Sequence, residues 1–222
     1  MTDFSNPEGG LVEGALREFT FPGPAGPLEG LWKDASGAAA GSAVFAHPHP
    51  LHGGTLHNKV VFRAARALTR SGYGTLRFNF RGVGRSAGKF DGHGGEVADF
   101  RAAQAEAARR AGVPQIAGGF SFGAAMSLRA IEGDSRVGAY IGVGLPVASA
   151  PRPFPRPEVP ALFIVGGRDT FGPPGALREF VGGSGEVLEI EGADHFLEGR
   201  LSLLEEAIAR FLAELPAREA AS

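Results

Sequence analysis

The stretch QIAGGFSFGAA at residues 115–125 decides the fold of this chain. An apolar run typical of a strand leads into the pentapeptide GFSFG (119–123), and small residues in a helical pattern follow. A G-x-S-x-G sequence between a strand and a helix is typical of a nucleophile elbow, in which a serine sits at the tip of a strained turn. Its two glycines relieve the crowding that side chains would cause there. We therefore expect Ser121 to be a nucleophile at the positive N-terminal end of a helix.

Strand-like and helix-like segments alternate on both sides of this turn. The apolar runs predict strands, and the helical spacing of apolar residues predicts helices. The predicted strands are 17–22, 27–34, 41–47, 73–80, 115–121, 137–146, 161–167 and 185–192, and the predicted helices are 58–72, 95–112, 123–133, 174–183 and 201–215. The first two strands flank the turn GPAG and form a hairpin. The remainder predicts an α/β fold, a mostly parallel sheet flanked by helices on both faces.

The length and composition of the chain are those of a single globular domain. The chain has 222 residues, of which 43% are hydrophobic and 21% charged, values typical of a globular protein. We expect a flexible N-terminus at 1–16, one domain at 17–217 and a C-terminal tail at 218–222. The segment 147–160 between two predicted strands is Pro-rich and too short for a helical lid, so we expect no lid domain and an open site.

Charge and cysteine content exclude several classes of function. Lys and Arg number 22 against 24 Asp and Glu, so no basic excess favours nucleic acid or an anionic membrane as a partner. The start of the chain is neither basic nor apolar, and no apolar run is long enough to cross a membrane, so we expect a cytoplasmic protein. Without cysteine there is no thiolate nucleophile and no Cys-type zinc site.

Two further predicted strand ends carry the partners that a serine nucleophile needs. Asp169 follows the strand that ends in GGRD, and His195 follows the last predicted strand. The order Ser121, Asp169, His195 is the one that a nucleophile-elbow sheet requires, and parallel strands bring their carboxyl ends to one edge. His195 would take the serine proton, and Asp169 would orient the imidazole. Asp194 competes for the orienting role, but a neighbour of His195 in the chain usually points away from its ring.

Four of the six histidines lie in the segment FAHPHPLHGGTLHNK (45–59) at another strand end. An acyl-transfer site needs two backbone N–H donors for its oxyanion, one from the residue after the nucleophile, Phe122, and one from such a loop. The two prolines of HPHP have no N–H, which leaves His49 as the second donor and Leu51 as the next choice. The roles of the other histidines stay open, with His47 a candidate brace for this loop.

The sequence blocks resemble the small cap-less bacterial hydrolases of the α/β-hydrolase superfamily that carry an HPHP loop. The resemblance covers residues 26–215, including the blocks GPAGPLEG, HPHPLHGGTLHNKVV, LRFNFRGVGRSAGKFDGHGGEVAD, GGFSFGAAMS, GGRDTFGPP and GADHF. It implies an α/β-hydrolase fold and esterase-like chemistry by Ser121, Asp169 and His195. One departure is Pro48, which stands where the family's H-G-x-P oxyanion pattern has glycine. The resemblance does not identify the substrate, because the superfamily performs many chemistries.

Two other kinds of site have weaker support. HPHPLH is similar to the ligand run of metal-dependent hydrolases, but Leu51 replaces the required carboxylate, so we expect no metal. GVGRSAG (82–88) is similar to a dinucleotide fingerprint, but its third glycine is displaced, and a long loop precedes any helix. We expect a turn near the rim of the site, with Arg81 and Asp91 tying it down, and no cofactor.

These observations predict a serine hydrolase that cleaves small or medium acyl esters. Aromatic residues flank the catalytic positions, so we expect an apolar pocket that binds substrate through Leu51, Phe120, Phe171 and Phe196. The expected partner is a small acyl substrate, and the oligomeric state stays open. The same triad could act on amide bonds or in acyl transfer, and the chain could instead be an inactive binding protein on the same fold.

Overall fold

The computed structural model describes residues 15–92, 94–149 and 153–215. Eight strands form one sheet in the order β1-β2-β4-β3-β5-β6-β7-β8. The strands are β1 Leu16–Phe21, β2 Leu28–Lys33, β3 Gly41–Ala46, β4 Tyr73–Phe78, β5 Gln115–Phe120, β6 Val137–Val143, β7 Ala161–Gly166 and β8 Glu186–Ile190. β1 and β2 form an antiparallel hairpin, and β2 runs antiparallel to β4, whereas the other neighbours are parallel. The predicted α/β fold is therefore confirmed.

Helices cover both faces of the sheet. They are α1 Lys59–Arg70, α2 Gly95–Ala111, α3 Phe122–Ala130, α4 Pro174–Val181 and α5 Leu201–Glu214. Helices α2, α3 and α4 pack on one face and α1 and α5 on the other, each with its own apolar cluster. The central strands β3 and β5 are buried along their whole length, as expected of a sheet covered on both sides. Burial on both faces fixes the positions of the strand ends that carry the site.

Element ends differ from the predicted ones by a few residues. The strand predicted at 137–146 ends at Val143, because Gly144 takes a positive φ of 55° and leaves the extended conformation. A short 3-10 helix at Pro50–His52 is not among the predicted elements. Strand β1 begins at Leu16, one residue before the predicted start of the domain. Apart from Ala15 and Leu16, the residues of the two predicted tails, 1–16 and 218–222, lie outside the described part of the chain.

The connection between β6 and β7 contains no helix within its described residues 144–149 and 153–160, which agrees with the prediction of a fold without a lid. Among all the described residues, no helix is long and apolar enough to cross a membrane.

Candidate active site

Ser121 lies at a sharp turn between β5 and α3. Its backbone takes φ 55° and ψ −115°, a conformation that is strained for any residue other than glycine. A Cβ atom at Gly119 would lie 2.4 Å from the carbonyl carbon of Gly123, and one at Gly123 would lie 2.5 Å from the oxygen of Ala46. Only glycine therefore fits at positions 119 and 123, two residues before and after the serine, and Ser121 sits immediately before the first turn of α3.

Ser121, His195 and Asp169 form a continuous chain of hydrogen bonds. The Nε2 atom of His195 lies 3.0 Å from the Oγ atom of Ser121, and its Nδ1 atom lies 2.6 Å from Oδ2 of Asp169. The other carboxylate oxygen of Asp169 accepts the backbone N–H groups of Phe171 at 2.9 Å and Gly172 at 3.2 Å. Because a carboxylate can only accept a hydrogen bond, Nδ1 of His195 carries the proton and donates it to Asp169. Nε2 then has a free lone pair that can accept the serine proton.

Asp194, the alternative candidate for orienting the imidazole of His195, bonds to backbone groups instead. Its Oδ1 atom accepts the backbone N–H groups of Phe196 and Glu198, each at 3.1 Å, and so closes the loop around His195. The hydrogen bonds thus place Asp169, and not Asp194, against the imidazole.

Three phenylalanine rings surround the imidazole of His195. The ring centroids of Phe171, Phe120 and Phe196 lie 4.7, 5.0 and 5.4 Å from that of the imidazole. Phe171 and Phe196 are 48% and 55% exposed and stand at the rim of the site. Phe120 is fully buried, because its position in β5 turns its side chain into the core beneath the site. Phe120 therefore supports the imidazole and does not line the opening, in contrast to our prediction that it binds substrate.

The predicted oxyanion donors, His49 and Phe122, lie next to each other, with ring centroids 5.0 Å apart. Within the described part of the chain, neither of their backbone N–H groups donates to a protein acceptor. The N–H of Leu51, by contrast, donates to Nδ1 of His49 at 3.2 Å. Leu51 itself is 70% exposed on the 3-10 helix. The geometry therefore favours His49 over Leu51 as the second donor.

His47 is buried beneath this loop and holds it. Its Nε2 atom accepts the backbone N–H of Phe80 at 3.1 Å, so the proton must sit on Nδ1, which donates to the carbonyl oxygen of Pro48 at 2.6 Å. Burial lowers the pKa of His47 to about 4, which keeps the ring neutral at pH 7. The Pro48 carbonyl and the His49 N–H belong to one planar peptide unit and point in opposite directions. By fixing that carbonyl, His47 also fixes the direction of the His49 N–H.

A second clamp, formed by β4 and the residues after it, holds the far end of the loop. Nη1 of Arg77 donates to the carbonyl oxygen of Leu56 at 2.8 Å, and the N–H of Leu56 donates to Oδ1 of Asn79 at 2.8 Å. Burial lowers the pKa of Arg77 to about 10. Our sequence analysis missed both residues, although polar side chains at every second position of an apolar strand are a signal for such a role.

Phe90 is another site residue that the sequence analysis missed. Its ring centroid lies 4.9 Å from that of His49 and 5.8 Å from that of Phe122, so it extends an apolar wall beside the two oxyanion donors. Arg81 anchors the loop that carries Phe90, with bonds to Asp91 at 3.1 Å and to the buried Asp99 at 2.7 Å. The structure thus pairs Arg81 with Asp91, as we expected.

Two histidines of the loop 45–59 pack against each other. The rings of His49 and His52 pack at 4.7 Å. Across residues 15–92, 94–149 and 153–215, no group of three or more histidine, cysteine, aspartate or glutamate side chains is arranged to hold a metal ion.

Comparison with known proteins gives relatives over nearly the whole chain. No protein-family model matches it. An uncharacterized protein of Rickettsia prowazekii is 32% identical over 216 residues, which cover 89% of each chain. An α/β serine hydrolase homologue from Coxiella burnetii is 36% identical, with a TM-score of 0.80 over 87% of this chain and 96% of the other. A Xanthomonas campestris protein, described as an α/β serine hydrolase without a lid, is 31% identical, with a TM-score of 0.83 over 92% and 97% of the two chains.

Proposed function

The chain belongs to the α/β serine hydrolases, and we propose that it is a carboxylesterase that cleaves small or medium acyl esters through an acyl-enzyme on Ser121. The observation that carries the proposal is the hydrogen-bonded chain from Ser121 through His195 to Asp169. A serine hydroxyl is a weak nucleophile at pH 7 unless a base accepts its proton, and Nε2 of His195 is in place to do so.

In the proposed reaction, Oγ of Ser121 attacks the ester carbonyl carbon as its proton passes to Nε2 of His195. Asp169 stabilises the resulting imidazolium. The oxyanion that forms accepts the N–H groups of Phe122 and His49, each worth roughly 3 kcal/mol of barrier. Collapse breaks the bond to the alcohol oxygen, which takes the proton from Nε2, and the acyl group remains on Ser121. Water then attacks the acyl-enzyme by the same steps and regenerates the serine.

An apolar acyl group suits the surroundings of Ser121. Phe90 and Phe122 stand beside the His49 donor on one side, and Phe171 stands at the rim on the other. Aromatic walls stabilise an acyl chain by removing apolar surface from water. Because the described residues form no lid over this edge, substrates need not wait for a domain to open.

The test is a fluorophosphonate probe followed by activated esters. We expect the probe to label the wild-type protein and not the Ser121→Ala variant, and p-nitrophenyl esters of short acyl chains to be hydrolysed by the wild type alone. A folded protein that reacts with neither reagent would support the binding-protein alternative. Matched anilides of the same acids show whether amides are also cleaved.

Metal removal separates the proposal from metal-dependent hydrolysis. The steps above use only side chains and backbone N–H groups, so EDTA should leave the turnover of p-nitrophenyl butyrate unchanged. Strong inhibition that added zinc reverses would contradict the serine mechanism.

A further inference from the structure

The loop that carries His195 contains a strained residue that the mechanism above does not use. Leu197, two positions after the histidine, has a backbone φ of 54°, in the left-handed region that favours glycine. Among the residues that the structure describes, the only other non-glycine residue with a positive φ is Ser121, at the nucleophile turn. Strained residues persist only where the surrounding structure holds them, and they are frequent at functional sites. The strain at Leu197 therefore points to a role at this site.

We infer that Leu197 is a positioning residue, whose buried side chain anchors the turn after His195 and so fixes the imidazole at hydrogen-bond distance from Ser121. The inference rests on the proposed esterase function and adds to it a residue that acts only through the histidine. Both chemical steps need the imidazole in this place, because it takes a proton first from Ser121 and later from water.

The same loop shows what leucine contributes at position 197 that glycine would not. Gly192 and Gly199 also have left-handed φ values, 68° and 70°, and a Cβ atom at either position would meet no atom within 4 Å beyond its own chain neighbours. Leu197, by contrast, is 1% exposed and lies in the apolar cluster between the sheet and helices α1 and α5. Glycine would form the turn without strain but would leave this space empty. The burial of the leucine side chain therefore offsets the strain of its backbone.

The turn after His195 is closed by hydrogen bonds of its own. The carbonyl oxygen of Asp194 accepts the N–H of Leu197 at 3.2 Å, and its Oδ1 atom accepts the N–H groups of Phe196 and Glu198. Three hydrogen bonds to one residue make the turn move as a unit, so a side chain that holds one of its residues holds the others. Of residues 194–198, only His195 and Leu197 are buried. Leu197 therefore joins this turn to the core.

His195 is held from both sides along the chain. Ala193, two residues before it, and Leu197, two residues after it, are buried in the same apolar cluster. This cluster also contains Phe120, whose ring centroid lies 5.0 Å from that of the imidazole. With both neighbours anchored, the core sets the 3.0 Å distance between Nε2 of the histidine and Oγ of Ser121. Loss of the Leu197 side chain should leave the loop held at one end only and let the imidazole move.

The experiment compares Leu197→Gly with Leu204→Ala in the hydrolysis of p-nitrophenyl butyrate. Leu197→Gly relieves the backbone strain and removes the anchor, whereas Leu204→Ala opens a space in the same cluster from helix α5. Because a misplacement of about 1 Å can cost about 10²-fold in rate, we expect kcat to fall about 10- to 100-fold in Leu197→Gly, with KM changed less than about threefold. Leu204→Ala should also destabilise the fold but keep kcat within about twofold of the wild type.

Two further variants separate positioning from a general loosening of the core. Leu197→Met refills the space with a side chain of similar volume and should keep kcat within about threefold of the wild type. Leu197→Ala lacks most of the anchor and replaces Leu197→Gly if that variant does not fold, and its kcat should also fall about tenfold or more. All variants are compared at a temperature where circular dichroism shows them to be folded.

A fall in kcat of less than about tenfold in Leu197→Gly, an equal fall in Leu204→Ala, or an equal fall in Leu197→Met would overturn the inference. A fluorophosphonate probe distinguishes this failure from that of the proposed function. If the wild type hydrolyses the ester and is labelled at Ser121 while Leu197→Gly keeps its kcat, only the role of Leu197 is wrong. If the wild type neither hydrolyses the ester nor reacts with the probe, the esterase proposal fails and this inference fails with it.

Discussion

The two sides of Ser121 are organised differently. On the histidine side, the groups of the proposed mechanism are side chains, and hydrogen bonds of 2.6 and 3.0 Å join Asp169, His195 and Ser121 directly. On the oxyanion side, the proposed working groups are backbone N–H groups, and the side chains act one step away. His47 fixes the Pro48 carbonyl, and Arg77 fixes that of Leu56.

In the proposed mechanism, the side chains on the histidine side take part in the reaction, whereas those on the oxyanion side hold backbone groups in position. A side chain that transfers a proton cannot be replaced by another type, whereas a backbone N–H is supplied by almost any residue and depends on its supports. Substitutions on the histidine side should therefore remove catalysis almost completely, and those on the oxyanion side should reduce it in part.

The largest effect is expected for Asp169→Asn. The amide can present its N–H₂ to Nδ1, which turns the imidazole to the wrong tautomer, so kcat should fall by about 10⁴-fold. Asp194→Asn is the matched control one residue from His195, and since Asp194 does not contact the imidazole, we expect a far smaller loss of kcat with p-nitrophenyl butyrate. Equal losses in the two variants would contradict the assignment of Asp169.

The next effect is expected for His47→Leu, which removes the brace behind the oxyanion loop. With the His49 N–H no longer held in direction, kcat should fall by about 10²- to 10³-fold, with a smaller change in KM. Thr69→Val removes another buried hydroxyl, one that bonds to the carbonyl of Ala65 and to the hydroxyl of Thr75, and it controls for general destabilisation. If both variants lose kcat equally at a temperature where both are folded, His47 has no special role in positioning.

The same histidine should make stability depend on pH. Its pKa is about 4 when folded, against 6.5 for a free histidine, so the unfolded chain binds the proton first as the pH falls. Its contribution is present in full above pH 6.5 and is lost as the pH falls towards 4. Between pH 7.5 and pH 5 this amounts to about 2 kcal/mol of unfolding free energy. Urea titrations should show this loss in the wild type and a correspondingly smaller one in His47→Leu; equal losses would refute it.

The smallest effect is expected for Phe171→Ala at the rim. The ring is half-exposed, so its loss should lower kcat/KM for apolar acyl esters only about threefold to tenfold. Leu203→Ala removes a comparably exposed apolar side chain on α5, away from the site, and should change nothing. A loss of more than 10³-fold in Phe171→Ala would instead mean that the ring holds His195 in place.

The sequence predicts the residues on the histidine side of Ser121 better than those on the oxyanion side, for a physical reason. Ser121, Asp169 and His195 were accessible because proton transfer demands particular residue types at strand ends. Phe90 is not predictable from the sequence, because only the folded loop brings it beside His49. Its position next to Ser121 in the chain predicts that Phe120 lines the pocket, whereas the alternation of side chains along β5 buries it. The order and type of the helices and strands are predictable from the sequence, but some of their ends are not, such as the end of β6 at Val143. The short 3-10 helix is not predictable either, because its three residues are too few to show a periodicity.

The most direct test is to trap the covalent intermediate. Rapid acid quenching of the protein during turnover of p-nitrophenyl butyrate, followed by peptide mass spectrometry, should show a butyryl group on the peptide that contains Ser121. The Ser121→Ala protein should carry none. Turnover without any acyl adduct, or an adduct at another residue that persists in Ser121→Ala, would contradict the account.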